Sequence, residues 1–262
     1  MPTFVGTGDS ITSAAGQAAQ EWPQRVHNKI EAAHAGSAWN VYNTGAGGAQ
    51  TTTLSGSPAA FSGQGYAPSV IGIMIGVNDA WAIAHGWTTT QTDIPSSSVE
   101  IVRASISSFL DYCLALPAST PWGHPLVILL GPSPAPAAGH SRPEENMRAV
   151  EIILREEAAF RGVPFASMLD EFRNVAVPSW GYPATSAENL YWTFDELHLN
   201  DLGQEVVASK FYSMLTPYLA ADGSVIAPVA SPPSANAAPV HYRSAGAWQD
   251  CTTHIRTAGV WS

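Results

Sequence analysis

The run Pro125-Leu126-Val127-Ile128-Leu129-Leu130 is apolar at every position, the pattern of a strand buried on both faces rather than one with a wet side. Short apolar runs of this kind alternate along the chain with longer segments of helical spacing, the signature of a parallel sheet flanked by helices, and the fold class reads as α/β. Strands are expected at Thr3–Thr7, Trp39–Asn43, Ser69–Ile75, Pro125–Leu130 and Val163–Leu169. Helices are expected over Gln17–Ala35 (Trp22, Val26 and Ile30 at helical spacing, Pro23 a local disturbance), Val99–Leu116, Arg142–Arg161 and Asp201–Leu219. Asn200 or Asp201 is the natural cap of the last helix.

The 262 residues can hold one large domain or two small ones, with 45% hydrophobic and only 12% charged residues to form a core and a weakly charged surface. A formal charge of −10, from 21 acids against 11 bases, with no Lys/Arg cluster, argues against a phosphate-binding surface and against nucleic acid as a partner. Cys113 falls in a helical apolar pattern and Cys251 near the far end, which does not indicate a disulfide framework. No stretch approaches the roughly 20 apolar residues that span a bilayer. Met1-Pro2-Thr3-Phe4-Val5 enters a strand at once, with no charged leader and apolar segment, so no signal peptide is expected at this start. Compartment is left open by this, an extracellular or virion-associated enzyme included.

Composition shifts after Asp222. A main domain is expected over residues 1–222, then a linker over 223–239 with Pro228, Pro232, Pro233 and Pro239, then a tail over 240–262. The tail repeats itself: Tyr242-Arg243-Ser244-Ala245-Gly246-Ala247-Trp248 returns as Ile255-Arg256-Thr257-Ala258-Gly259-Val260-Trp261. Two copies suit a small hairpin; attachment to a polymer or a phage tail is the alternative reading, since repeats of this type resemble those of phage tail proteins.

Chemistry enters with Gly8-Asp9-Ser10 after the first strand and Asp195-Glu196-Leu197-His198 before the last helix. A serine hydroxyl is a weak nucleophile until a base takes its proton. His198 is the candidate base, and Asp195, three residues earlier, can hold its Nδ1 and leave Nε2 for Ser10. Each motif alone is also an ordinary turn or a structural histidine.

Acyl transfer further requires donors for an oxyanion. Asn43-Thr44-Gly45-Ala46-Gly47-Gly48 follows the second strand and offers the Gly48 N–H, with Gly47 as its neighbouring alternative. Gly76-Val77-Asn78-Asp79 follows the third strand and offers the Asn78 amide; the Ser10 N–H makes a third donor. All three fall at the carboxyl edge of a parallel sheet, where open α/β folds bind ligands. Rival serines fit less well. Gly131-Pro132-Ser133-Pro134-Ala135 lacks the last glycine of a nucleophile elbow, and Gly139-His140-Ser141-Arg142-Pro143 departs from it after the serine. Neither a metal-ligand spacing nor a lysine-bearing phosphate loop is found, so no cofactor is expected.

In this order, Gly8-Asp9-Ser10, Gly48, Gly76-Val77-Asn78-Asp79 and Asp195-x-x-His198 resemble the blocks of the SGNH, or GDSL-type, hydrolase superfamily over roughly residues 3–219. The resemblance implies a flavodoxin-like three-layer α/β/α sandwich with about five parallel strands. It implies Ser10 as nucleophile, His198 as base, Asp195 as its orienting acid, and Ser10, Gly48 and Asn78 as the oxyanion hole. Trp81, Trp87 and Trp192, with Asp9, are candidate substrate contacts, because flat aromatic faces suit sugar rings as well as acyl groups. The expected activity is that of a serine esterase removing O-acetyl groups from a carbohydrate. A lipase or thioesterase is the alternative within the enzyme class, and a non-catalytic carbohydrate-binding or virion attachment protein the alternative outside it.

Overall fold

The computed structural model describes residues 1–13, 18–56, 67–84, 96–135, 144–174, 191, 197–227, 240–244 and 247–251. Met1–Ala227 forms one compact unit and Pro228–Ser262 a second.

In the first unit five strands, β1 (Thr3–Gly8), β2 (Asn40–Asn43), β3 (Val70–Met74), β4 (Leu126–Leu130) and β5 (Phe165–Ala166), form one sheet in the order β2-β1-β3-β4-β5. Every pairing is parallel. Register aligns Gly8 with Met74 and Met74 with Leu130, so the strands that precede the motif-bearing loops end level with one another. The apolar runs behave as their composition requires: all five residues of β3 and of β4 are buried.

Helices cover both faces. On one, α2 (Trp22–Ala33) packs against α8 (Asp201–Leu215). On the other lie α3 (Thr51–Gly56), α4 (Val77–Ala84), α5 (Ser96–Ala115) and α6 (Glu144–Phe160), in contact with one another. α1 (Ser10–Ser13) and α7 (Met168–Asn174) are short connecting turns. Phe4, Trp22 and Phe211 meet between sheet and helices with centroids 5.1 to 5.9 Å apart. Gly6 and Gly72 make room for this cluster; a Cβ on Gly72 would come within 2.6 Å of the Phe211 ring. This is the α/β sandwich expected from the alternating pattern.

Three elements differ from expectation. α2 starts at Trp22, not Gln17, and Pro23 sits in its first turn, where a missing N–H costs nothing. The strand expected over Val163–Leu169 pairs only through Phe165 and Ala166. Met168, Leu169 and Phe172 instead bury themselves from the helical turn α7 at the edge of the sheet. α8 ends at Leu215 and continues as a 3-10 turn over Thr216–Tyr218. Past Asp222 the chain still belongs to the first unit: Ile226 N donates to Tyr218 O at 2.9 Å, and Gly223 O accepts from Trp39 Nε1 at 3.1 Å.

The second unit contains an antiparallel pair, β6 (Val240–Ser244) and β7 (Ala247–Cys251), with Tyr242 opposite Gln249. The first copy of the internal repeat runs through this pair; the second lies outside the described residues. Among the described residues no helix is long and apolar enough to cross a membrane.

Candidate active site

The strand order 2-1-3-4-5 places β1 and β3 side by side, with the connections from them leaving in opposite directions. A crevice opens at the carboxyl ends of such a pair. Ser10 follows β1 and Asn78 follows β3, so both candidate segments arrive at that point.

Gly8 closes β1 with φ of 148°, a conformation that favours glycine. A Cβ there would lie 1.8 Å from the Met74 carbonyl oxygen, so only glycine lets β1 end flush against β3. The chain then turns at Asp9. Its carbonyl accepts from Thr12 N and Ser13 N, both at 3.1 Å, and its Oδ1 accepts from Ile11 N at 2.9 Å. Asp9 therefore caps α1, with 1% of its surface exposed, and Ser10 is the first residue of that turn.

His198 is held from its two sides. Leu197 and Leu199 are buried at 7% and 1% exposure. Asn200 then caps α8, its Oδ1 accepting from Leu202 N and Gly203 N at 2.9 and 3.1 Å. This framework puts His198 Nε2 2.8 Å from Ser10 Oγ. In the tautomer with Nε2 unprotonated, the serine O–H donates to it, the arrangement required of a base that is to take the hydroxyl proton.

The second and third motifs also meet. The Gly-rich turn is anchored to β1 through Thr44 N to Gly6 O at 2.8 Å and Ala46 N to Gly8 O at 3.0 Å. Asn43 Nδ2 donates to Thr12 O at 2.7 Å, tying that turn to α1. Gly48 has φ of 72° and is exposed, with nothing among the described residues within 4 Å of the place a Cβ would take. Across the crevice Asn78 Nδ2 donates to Ala49 O at 3.0 Å; because that partner is a carbonyl, the amide nitrogen, not the oxygen, faces the turn. Asn78 is 9% exposed.

Two residues outside the expected set belong to this framework. Asp79, fully buried, accepts from Thr51 N at 3.1 and 3.2 Å and from Thr51 Oγ1 at 2.7 Å. Burial pushes its carboxyl up from 3.8 to about 6, against the opposing pull of the Thr51 hydrogen bonds. Asp79 lies inside the Gly76-Val77-Asn78-Asp79 motif, so its presence was visible in sequence although its partner was not. Gln204, fully buried on α8, donates from Nε2 to Ile11 O and accepts at Oε1 from Trp22 N, both at 2.9 Å. No local pattern marks it.

Among the candidate substrate contacts, Trp81 stands one helical turn beyond Asn78 on α4 and is 42% exposed. Asp195, Trp87 and Trp192 lie outside the described residues. The rival Ser133 is fully buried, with no hydrogen-bond partner for its Oγ; Ser141 lies outside the described residues. Cys113 is buried in the core, which raises its thiol pKa well above the ordinary range.

Solved structures share this architecture. The lipase/acylhydrolase from Enterococcus faecalis matches with a TM-score of 0.59 at 19% identity, over 82% of this chain and 95% of that one. An acetylxylan esterase from Geobacillus stearothermophilus, Axe2, matches with a TM-score of 0.61 at 18% identity, over 81% and 93%. LAE5, an alpha/beta hydrolase enzyme from the metagenome of Lake Arreo, Spain, matches at 0.57 and 18%, over 81% and 94%. At such identities these likenesses concern the fold. A search of curated protein sequences gives no match. The family model of the GDSL-like lipases and acylhydrolases matches residues 7–206, a span that takes in Gly8-Asp9-Ser10, the Gly48 turn, Gly76-Val77-Asn78-Asp79 and His198. This chain belongs to the GDSL-like lipase/acylhydrolase family and is an SGNH-type ester hydrolase.

Proposed function

We propose that Ser10 is the nucleophile of this esterase, with His198 as its base and Asp195 as the acid that orients the histidine, and that the ester cleaved is an O-acetyl group on a carbohydrate. The separation of 2.8 Å between His198 Nε2 and Ser10 Oγ supports the pairing of nucleophile and base. His198 takes the hydroxyl proton as Oγ attacks the acyl carbon, and the carbonyl oxygen becomes an oxyanion. N–H groups of Ser10, Gly48 and Asn78 receive that charge. Collapse of the adduct breaks the bond to the sugar oxygen, which departs as a hydroxyl with the proton from His198, and the acyl group remains on Ser10. Water, deprotonated by the same histidine, then releases acetate and restores the serine.

Several observations support this reading. Axe2 catalytic mutants replace a serine, an aspartate and a histidine, the last two three positions apart in sequence, as Asp195 and His198 are here. The acetylated xylan named for that enzyme is a carbohydrate ester. Trp81, exposed beside Asn78, offers an aromatic face of the kind that stacks on a sugar ring.

The test is an ester panel (p-nitrophenyl esters of increasing chain length, and acetylated xylan) assayed with the protein and with Ser10→Ala. Acetate release from xylan and a preference for acetyl over longer chains are expected, both lost in Ser10→Ala. Full activity of Ser10→Ala would remove the nucleophile assignment; activity confined to long acyl chains would remove the carbohydrate substrate.

A further inference from the structure

We infer that Asp79 is a positioning residue of the oxyanion hole: through Thr51 its carboxyl group holds the Gly48 turn in place opposite Asn78, and turnover depends on that grip. The inference rests on Gly48 and Asn78 being oxyanion donors, as proposed above.

Hydrogen bonds on either side of Gly48 hold its turn. Among the described residues nothing lies within 4 Å of the place a Cβ on Gly48 would take, and its φ of 72° is one that a glycine leaves easily. Upstream the turn is secured to the nucleophile strand by Ala46 N to Gly8 O at 3.0 Å, and it closes on itself through Ala49 N to Ala46 O at 3.2 Å. Downstream it has Ala49 O, which accepts from Asn78 Nδ2 at 3.0 Å, and Thr51, whose N and Oγ1 both donate to Asp79. Asn78 and Asp79 are consecutive at the start of α4, so one helix end grips the turn at two points separated by one residue. Gln50 adds a longer contact, Nε2 to Asn78 O at 3.5 Å.

Asp79 and Thr51 are both fully buried. A carboxyl group in that setting is costly unless its oxygens are well served by donors. Thr51 supplies two donors from one residue, the backbone N–H that opens α3 and a hydroxyl. Two bonds on a single residue fix rotation as well as distance, and displacements near an ångström at a reacting centre cost about 100-fold in rate. A merely structural clamp would affect folding and leave the transition state alone; a clamp that aims donors is felt where the oxyanion forms.

The experiment measures kcat and KM on p-nitrophenyl acetate, and inhibition by a trifluoromethyl ketone whose hydrated adduct on serine mimics the oxyanion. Asn78→Ala serves as reference, with an expected loss in kcat of about 10²- to 10³-fold. Thr51→Val, which keeps the shape and removes the hydroxyl, is expected to lower kcat about 10-fold, and Asp79→Ala about 100-fold. KM should move less than about threefold, while ketone affinity falls in step with kcat. Thr51→Ser, which keeps the hydroxyl, should recover most of the loss. Should Asp79→Ala fail to fold, Thr51→Val and Thr51→Ser decide the matter. Unchanged kcat in Thr51→Val beside a crippled Asn78→Ala would overturn the inference and leave the oxyanion assignment standing. Full turnover in Asn78→Ala would overturn that assignment and the inference with it.

Discussion

Gln204 Nε2 donates to the carbonyl of Ile11, the residue after Ser10, at 2.9 Å. Its Oε1 accepts from Trp22 N at the same distance. One buried amide thus joins the helix that follows His198 to the turn that carries Ser10 and to the start of α2. Its two hydrogen bonds tie the segment after the histidine to the segment that carries the serine.

Replacing Gln204 by Leu leaves a buried N–H and a buried C=O without their partner. Each orphaned group costs about 1–3 kcal/mol, so a loss of roughly 2–6 kcal/mol in unfolding free energy is expected. Urea unfolding followed by tryptophan fluorescence measures it. A change below about 0.5 kcal/mol would mean that water serves both groups.

Gly8→Ala tests the close approach of β1 to β3. The added methyl would overlap the Met74 carbonyl and hold a side chain at φ of 148°. A destabilisation of at least about 3 kcal/mol is expected, with loss of esterase activity as Ser10 shifts. Thermal unfolding and p-nitrophenyl acetate turnover read the two effects; wild-type values in both would contradict this account of the turn.

Burial raises the Asp79 carboxyl from 3.8 to about 6 in the folded protein. Folding therefore takes up a proton between those values. The stabilisation from this linkage is complete below 3.8 and is lost as pH rises through about 6. Its size is of the order of 3 kcal/mol at most, at 1.36 kcal/mol per unit. Asp79→Asn cannot titrate, so the stability difference between wild type and variant is expected to change across this interval and to level off above about 7. Denaturant midpoints at a series of pH values test it, and a pH-independent difference would show that the carboxyl does not titrate there.

Cys113, fully buried in α5, has a thiol that burial holds in its neutral form. Thiolate is the reactive species. Iodoacetamide is expected to leave Cys113 unmodified in the native protein and to alkylate it after unfolding in guanidinium, as read by peptide mass spectrometry. Rapid native alkylation would place the α5 face in a more open structure.

The sheet was legible in the chain because a strand buried on both faces leaves no polar position: Leu126–Leu130 and Val70–Met74 announce themselves by composition. Where a short segment could serve either period, the sequence misled. Val163–Leu169 reads as one strand, but Met168, Leu169 and Phe172 have helical spacing too, and packing at the sheet edge took that option. Pro23 reads as a disturbance within a helix until the helix is seen to start beside it. Candidate chemistry was legible as residue types in order along the chain. Asp79 stood in a quoted motif with no sign of its partner, and Gln204 carried no sign at all.

By itself, then, the amino-acid order marked the buried strands β3 and β4 and the longer helices, and showed that a serine, glycines and an asparagine follow strands while a histidine precedes the last helix, in the pattern of this hydrolase family. Local periodicity and residue chemistry suffice for that. Only the tertiary structure decided the strand order β2-β1-β3-β4-β5, and with it the distances: 2.8 Å from His198 to Ser10, 2.7 Å from Thr51 to Asp79. Those contacts join segments far apart in the chain, and they exist because one parallel sheet, buried on both faces by helices, gathers the segments after β1, β2 and β3 and the one before α8 at its carboxyl edge.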